Sequence, residues 1–132
     1  MKVTVDTNVL IRAVVRDDEK QARAAARLLR SAETIAVPLP CLCEFVWVLR
    51  SVYGFASREI SEAVEALLSA ANVQVNRPAV EAGLAILNAS GDFADGAIAR
   101  DGSWLGGETF VSFDRKAVAL LNKQGISARL LS

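Results

Sequence analysis

The chain changes its hydrophobic period within its first ten residues, and that change limits what it can fold into. Val3 and Val5 alternate with Thr4, the period of a strand, and Val9, Leu10 and Val14 then resume at the spacing of a helix. Between the two patterns stands Asp6, at the carboxyl end of the strand, and open α/β sheets bind ligands along that edge. A plainer role is open to the same residue. An aspartate there caps the following helix by accepting a free backbone N–H, worth about 1 kcal/mol.

The same alternation runs through the rest of the chain. Further strands are expected over residues 34–37, 73–75, 109–113 and 128–131. Helices are expected between them, over residues 19–32, from Pro40 to about Tyr53, from Arg58 to about Ala71, from Pro78 to about Ala89, and from Arg115 to about Lys123. Another helix starts near Asp92. Asp114 repeats the placement of Asp6, following a strand pattern and preceding a helix, so in a parallel sheet both acids occupy one edge. With 132 residues the chain reads as one domain, 1–132, long enough to bury roughly 68% of the surface its unfolded form exposes.

Two more acids stand out. On a helix, Glu44 has Cys41, Trp47 and Val48 as its neighbours three before and three and four after, so it is expected within an apolar stripe. A carboxylate buried there must be neutral, paired or bound to a cation, whereas one at the edge of the stripe simply reaches water. Asp92 and Asp95 lie three apart at a helix start, on one face. Asp92 is the better cap, and Asp95 lies one turn in, where it suits the helix dipole but needs no capping role. On the second helix Lys20, Arg23, Arg27 and Arg30 recur at spacings of three and four, either a solvated face or a rail for phosphates or an acidic partner.

Composition decides which chemistry those acids can serve. The chain has no histidine, which removes the commonest neutral-pH acid/base group and the commonest transition-metal ligand, and with them Ser-His-Asp, Cys-His and His-zinc mechanisms. A catalyst built from what remains works with carboxylates, hydroxyls and basic groups, and carboxylates recruit hard cations such as Mg²⁺ or Mn²⁺. Such ions, held by a crowd of carboxylates, activate water and stabilise an in-line displacement at phosphorus. Fifteen Lys and Arg balance fifteen Asp and Glu, so a polyanionic partner has to be held by a local basic patch. Cys41 and Cys43, two apart on a helix, point to nearly opposite sides and cannot bridge. With no export leader at Met1–Thr4 and no apolar run long enough for a membrane span, a reducing cytoplasm is the expected location.

Four stretches together resemble a known family: Val5-Asp6-Thr7-Asn8-Val9-Leu10, Glu44-Phe45-Val46-Trp47-Val48-Leu49, Asp92-Phe93-Ala94-Asp95 and Val111-Ser112-Phe113-Asp114-Arg115-Lys116. In order and spacing they are similar to the PIN domains, and within them to the toxins of VapBC-type toxin–antitoxin pairs. The resemblance implies an α/β three-layer sandwich, a central five-stranded parallel sheet flanked by helices with its first and fourth strands adjacent. It implies Mg²⁺- or Mn²⁺-dependent cleavage of RNA, a cognate antitoxin and a homodimer. Matched motif by motif, Asp6, Glu44, Asp95 and Asp114 are the implied catalytic, metal-binding acids. Asp92 is auxiliary to them, Asn8 organises the turn around Asp6, and Ser112 stands near the fourth acid where Thr is common. Gly96 stands where Ala is usual, which is expected to cost about 1 kcal/mol of helix stability and to loosen Asp95.

Two other functions fit parts of the pattern. A phosphatase of haloacid-dehalogenase type also starts from a strand-end Asp, but it wants a second Asp two positions on, where this chain has Asn8. A non-catalytic module that binds nucleic acid or protein would use the acids only as caps and the basic helix, through Arg23, Arg27 and Arg30, as its contact.

Overall fold

The computed structural model describes all residues from Met1 to Ser132. The chain forms two compact units, Met1–Val75 and Asn76–Ser132. The first contains β1 (Lys2–Thr4), α1 (Thr7–Val14), α2 (Glu19–Ser31), β2 (Thr34–Ala36), α3 (Leu39–Ser51), α4 (Ser57–Ser69) and β3 (Val73–Gln74). The second contains α5 (Arg77–Asn88), α6 (Phe93–Trp104), β4 (Phe110–Ser112), α7 (Arg115–Lys123) and β5 (Ala128–Leu130).

In the first unit the strands form a parallel sheet in the order β1-β2-β3, with Val3 opposite Ile35 and Ile35 opposite Val73. Ile35 on the central strand is fully buried, as are Phe45 and Leu49 of α3 and Ile60 of α4. A continuous apolar strand covered on both faces is what parallel βαβ connections require. Gly54 carries the chain out of α3 at φ +69°, letting its N–H reach the Arg50 carbonyl at 3.2 Å and the Phe55 N–H reach that of Leu49 at 2.9 Å. Ser57 is the first residue of α4 and does not cap it. Glu59 Oε1 instead accepts from the Ala56 N–H at 2.9 Å, while Ser57 Oγ accepts from Arg50 at 2.7 Å.

The expected stripe on α3 is also shifted. Its buried side is Cys41, Leu42, Phe45, Val46 and Leu49, so Glu44 lies on the exposed side with Trp47, which is 62% exposed. The helix has apolar residues on more than one face, and the one that packs inward is set by α1 and α4, against which it lies, which local spacing does not reveal.

The second unit rests on the pairing of α5 with α6, and glycines set its closeness. A Cβ on Gly83 would meet the ring of the fully buried Phe93 at 2.7 Å. One on Gly96 would collide with the backbone carbonyl of Ala82 and lie 2.8 Å from Ile86 Cγ1. Gly96 therefore does not loosen this helix. It is the residue that lets α6 lie against the α5 backbone. β4 and β5 pair in parallel, with Phe110 opposite Ala128 and Ser112 opposite Leu130.

The expected single five-stranded sheet is therefore two ladders, one of three strands and one of two. β1 and β4, expected side by side, share no ladder, since β1 pairs with β2 and β4 with β5. Each strand finds its ladder partner within its own unit, and strands of two or three residues offer few groups with which to extend a ladder further.

Two glycines of α6 give opposite expectations. Gly96→Ala is expected to destabilise the protein by about 2 kcal/mol or more, because the clash is with backbone and cannot relax by rotamer change. Gly102→Ala, whose Cβ would meet nothing within 4 Å, is expected to be neutral or to stabilise by about 0.5 kcal/mol. Urea unfolding of both variants beside the wild type measures the difference, and similar midpoints for the two would contradict the close-packing account.

Candidate active site

In the first unit Asp6 caps α1, its Oδ1 accepting from the Val9 N–H at 3.2 Å, and it remains exposed to solvent. Thr7, which follows, is buried, and its hydroxyl donates to Cys41 Sγ at 3.9 Å, tying the head of α1 to α3. Burial pushes the Cys41 thiol above its ordinary value; the Thr7 bond opposes this, and the charges of Asp6 and Glu44 raise it further. Asp6 and Glu44 are thus both near Cys41, and that sulfur stays a neutral thiol, neither a nucleophile nor a metal-binding thiolate at neutral pH. Asn8 is exposed and lines an open groove of about 340 Å³ with Val9, Arg12, Gln21, Ala24 and Ala25. The bond that closes the turn at Asp6 comes from the Val9 backbone.

A polar network that local periodicity does not reveal holds α1 in place. Arg12 donates to Asp17 Oδ1 at 2.7 Å and to Gln21 Oε1 at 2.8 Å, and the Tyr53 hydroxyl donates to Asp17 Oδ2 at 3.2 Å. Partial burial would raise the Asp17 carboxyl, but the Tyr53 hydroxyl and then Arg12 hold it below its ordinary value. The sequence signal was there in Arg12 and Asp17, but a pair across a loop with a tyrosine from the turn after α3 has no spacing rule. Along α2, Arg23, Arg27 and Arg30 are exposed with Lys20, as the spacing implied, and Ala22 and Ala25 are buried. None of these four cations takes part in the ion pairs of the structure.

In the second unit three acids interact. Asp92 caps α6, accepting from the Ala94 N–H at 3.2 Å, and Asp114 caps α7, accepting from the Ala117 N–H at 3.1 Å. Ser112 braces the second of these turns, its Oγ accepting from the Asp114 N–H at 3.0 Å. Asp95 lies in the first turn of α6, half-buried, with no cation paired to it. Its carboxyl is pushed up to about 6, by burial first and then by the charges of Asp92 and Asp114. A carboxylate crowded by its own kind is unstable alone and gains from a proton or a cation.

The PIN-domain sequence profile matches residues 3–120. The chain belongs to the PIN-domain family. No curated protein is similar enough to add a named relative. PIN domains are generally metal-dependent nucleases, so the donors of this one can be tested against a metal. Their chemistry suits a hard cation, because the acids offer oxygen only, the nearby thiol is neutral and Asp95 lacks a counter-charge. No group of three or more acidic or cysteine side chains stands close enough together to hold an ion. No helix of this PIN domain is long and apolar enough to cross a membrane.

The raised Asp95 carboxyl makes stability depend on pH with a definite sign. Its ordinary value is 3.8 and its folded value about 6, so between these the folded state binds the extra proton. This residue's contribution is intact below about pH 4 and is lost as pH rises through 6. Asp95→Asn is expected to stabilise the protein near neutral pH by about 1 kcal/mol, after allowance for solvent screening, and to have little effect near pH 4. Denaturant titrations of both proteins across this range measure the difference, and a gap independent of pH would contradict the account.

Proposed function

We propose that this PIN domain is an endoribonuclease, the toxin of a toxin–antitoxin pair, with Asp6, Glu44, Asp95 and Asp114 as its catalytic, metal-binding acids. The observation that carries the reading is Asp95, a half-buried acid raised to about 6 with like charges for neighbours and no cationic partner. An acid with only a structural role is better placed in a salt bridge or in water. Asp92 and Ser112 are auxiliary, the first adding charge beside Asp95 and the second fixing the turn that presents Asp114. Asn8, next to Asp6 at the head of α1, is auxiliary on the strength of the motif.

The chain's own residues account for positioning. Asp6 and Asp114 each use one oxygen to cap a helix, which fixes the carboxylate on a rigid element and leaves it exposed for further contacts. Mg²⁺ or Mn²⁺, when bound, supplies the positive charge that activates water and stabilises the phosphorane-like transition state. Lys20, Arg23, Arg27 and Arg30 on α2 attract the RNA backbone, in a chain whose net charge gives no attraction of its own. The toxin role, the antitoxin and a homodimer are supported by the four motifs and their order. The cytoplasm is where such a toxin would meet its RNA.

One observation favours a second reading. Asp6, Asp92 and Asp114 all cap helices, which a non-catalytic binding module would also need. Asparagine separates the two, because it caps a helix about as well as aspartate but does not supply the charge. Asp6→Asn and Asp114→Asn are expected to melt at or above the wild-type temperature and to lose at least about a hundredfold in metal-dependent RNA cleavage. Cleavage should stop with a chelator. A folded, nuclease-free preparation of either variant that cleaves at the wild-type rate would refute the assignment, and a wild type inactive on every RNA with either ion would favour the binding module.

Neutralising Arg23, Arg27 and Arg30 together is expected to weaken RNA binding and lower the magnitude of its salt slope by about two to three. Binding titrations over a range of salt give that slope directly. An unchanged value would make α2 a solvated face.

A further inference from the structure

We propose that Phe113 is a stacking platform for an unpaired RNA base, with Arg115, Lys116 and Arg129 holding the adjoining phosphates. The inference rests on the nucleic-acid reading above and adds to it the residues that grip the strand.

Phe113 is 75% exposed, more than either exposed tryptophan. β4 alternates, with Phe110 and Ser112 half-buried and Val111 49% exposed, and Phe113 continues the outward side. Across the ladder Arg129 is the register partner of Val111 and is exposed as well. Arg115 and Lys116, the first residues of α7, are exposed and belong to none of the ion pairs. An aromatic ring among unpaired cations is the combination that single-stranded nucleic acid uses, ring against base and cation against phosphate. A protein partner's apolar surface would have to bury these charges without compensation.

The backbone that carries the ring is also held by its neighbours in sequence. The Asp114 N–H donates to Ser112 Oγ on one side, and Asp114 Oδ1 accepts from Ala117 on the other, so the backbone around Phe113 is fixed before any ligand arrives. Its immediate neighbour is Asp114, one of the acids proposed above to act on the phosphodiester. The first unit repeats the association independently, since Trp47 is 62% exposed one turn from Glu44 on the same side of α3. The remaining exposed tryptophan, Trp104, already carries the Arg100 guanidinium 5.9 Å from its ring centre. A duplex keeps its base faces stacked internally and offers no ring for Phe113 to cover, so the platform distinguishes unpaired from paired RNA.

The test uses the full chain in chelator, so that binding is read without cleavage, on an unstructured RNA oligonucleotide containing a fluorescent adenine analogue and on a duplex of the same length. Phe113→Ala is expected to bind the unpaired RNA about ten to a hundred times more weakly and the duplex as wild type does. Quenching of the analogue on binding should be lost in Phe113→Ala and Phe113→Leu and kept in Phe113→Trp. Thermal melting confirms that the variants fold. Equal affinity of wild type and Phe113→Ala for unpaired RNA would overturn the proposal. So would full rescue by leucine, an equal loss on duplex, or no binding of unpaired RNA by the wild type. A homodimer that dissociates in Phe113→Ala with RNA binding unchanged would assign the surface to a second copy and overturn it too. Cleavage in Mn²⁺ by wild type and Asp114→Asn is measured separately. If wild type binds and stacks as described but never cleaves, the nuclease reading fails and the stacking platform stands.

Discussion

The hydrogen bond from a helix's first turn to an aspartate at its head recurs throughout this protein, and much of the structure depends on it. Asp6, Asp18, Asp92 and Asp114 each accept from a backbone N–H two or three residues ahead. Each bond is worth only about 1 kcal/mol, yet it fixes where a chain leaving a strand or loop must turn and which way the helix then runs. The same contact leaves the second carboxylate oxygen free of the cap. Capping is therefore compatible with the catalytic role proposed for Asp6 and Asp114, to which it would lend rigidity.

That double use explains how much could be read from the sequence. The switch from a strand period to a helix period on either side of Asp6 and of Asp114 depends on neighbours within a few residues, and the structure has both acids as caps at those switches. Asp92 as the cap of α6 and Pro40 in the first turn of α3 are local in the same sense. What was not legible depends on contacts far apart in the chain. Glu44 has apolar neighbours on α3, but the side of that helix that is buried was chosen by its packing against α1 and α4, and the acid is exposed. The division of the strands into ladders of three and two likewise depends on which short edges find each other. As for the proposed site, the sequence located its acids along the chain but not their electrostatics, since the raised value of Asp95 comes from packing and from two acids brought near it by α6 and α7.

Gly96 shows the difference most clearly. Judged by helix propensity it is a defect beside Asp95, a residue that spends backbone entropy where alanine would not. Judged by packing it is a requirement, because the Ala82 carbonyl and Ile86 occupy the space a methyl group would need. The two views differ in sign, and the clash decides, since a propensity term of about 1 kcal/mol is smaller than the cost of forcing two helix backbones apart.

The consequence reaches the neighbouring acid. Because Gly96 lets α6 lie against α5, Phe93 can bury its ring over Gly83 and the first turn of α6 is held down at both ends. Asp95 belongs to that turn and is drawn partly out of water with it, which is the largest cause of its raised value. The electrostatic strain at Asp95 is thus maintained by apolar packing on the opposite side of its own helix. A turn that could swing outward would relieve the strain by hydrating the carboxylate. One pinned by Phe93 has only a proton or a cation to relieve it, and at neutral pH, above the value of about 6, the proton has mostly gone. A close helix pair and a glycine without a side chain are in this way as much a part of the acid's chemistry as the two aspartates beside it.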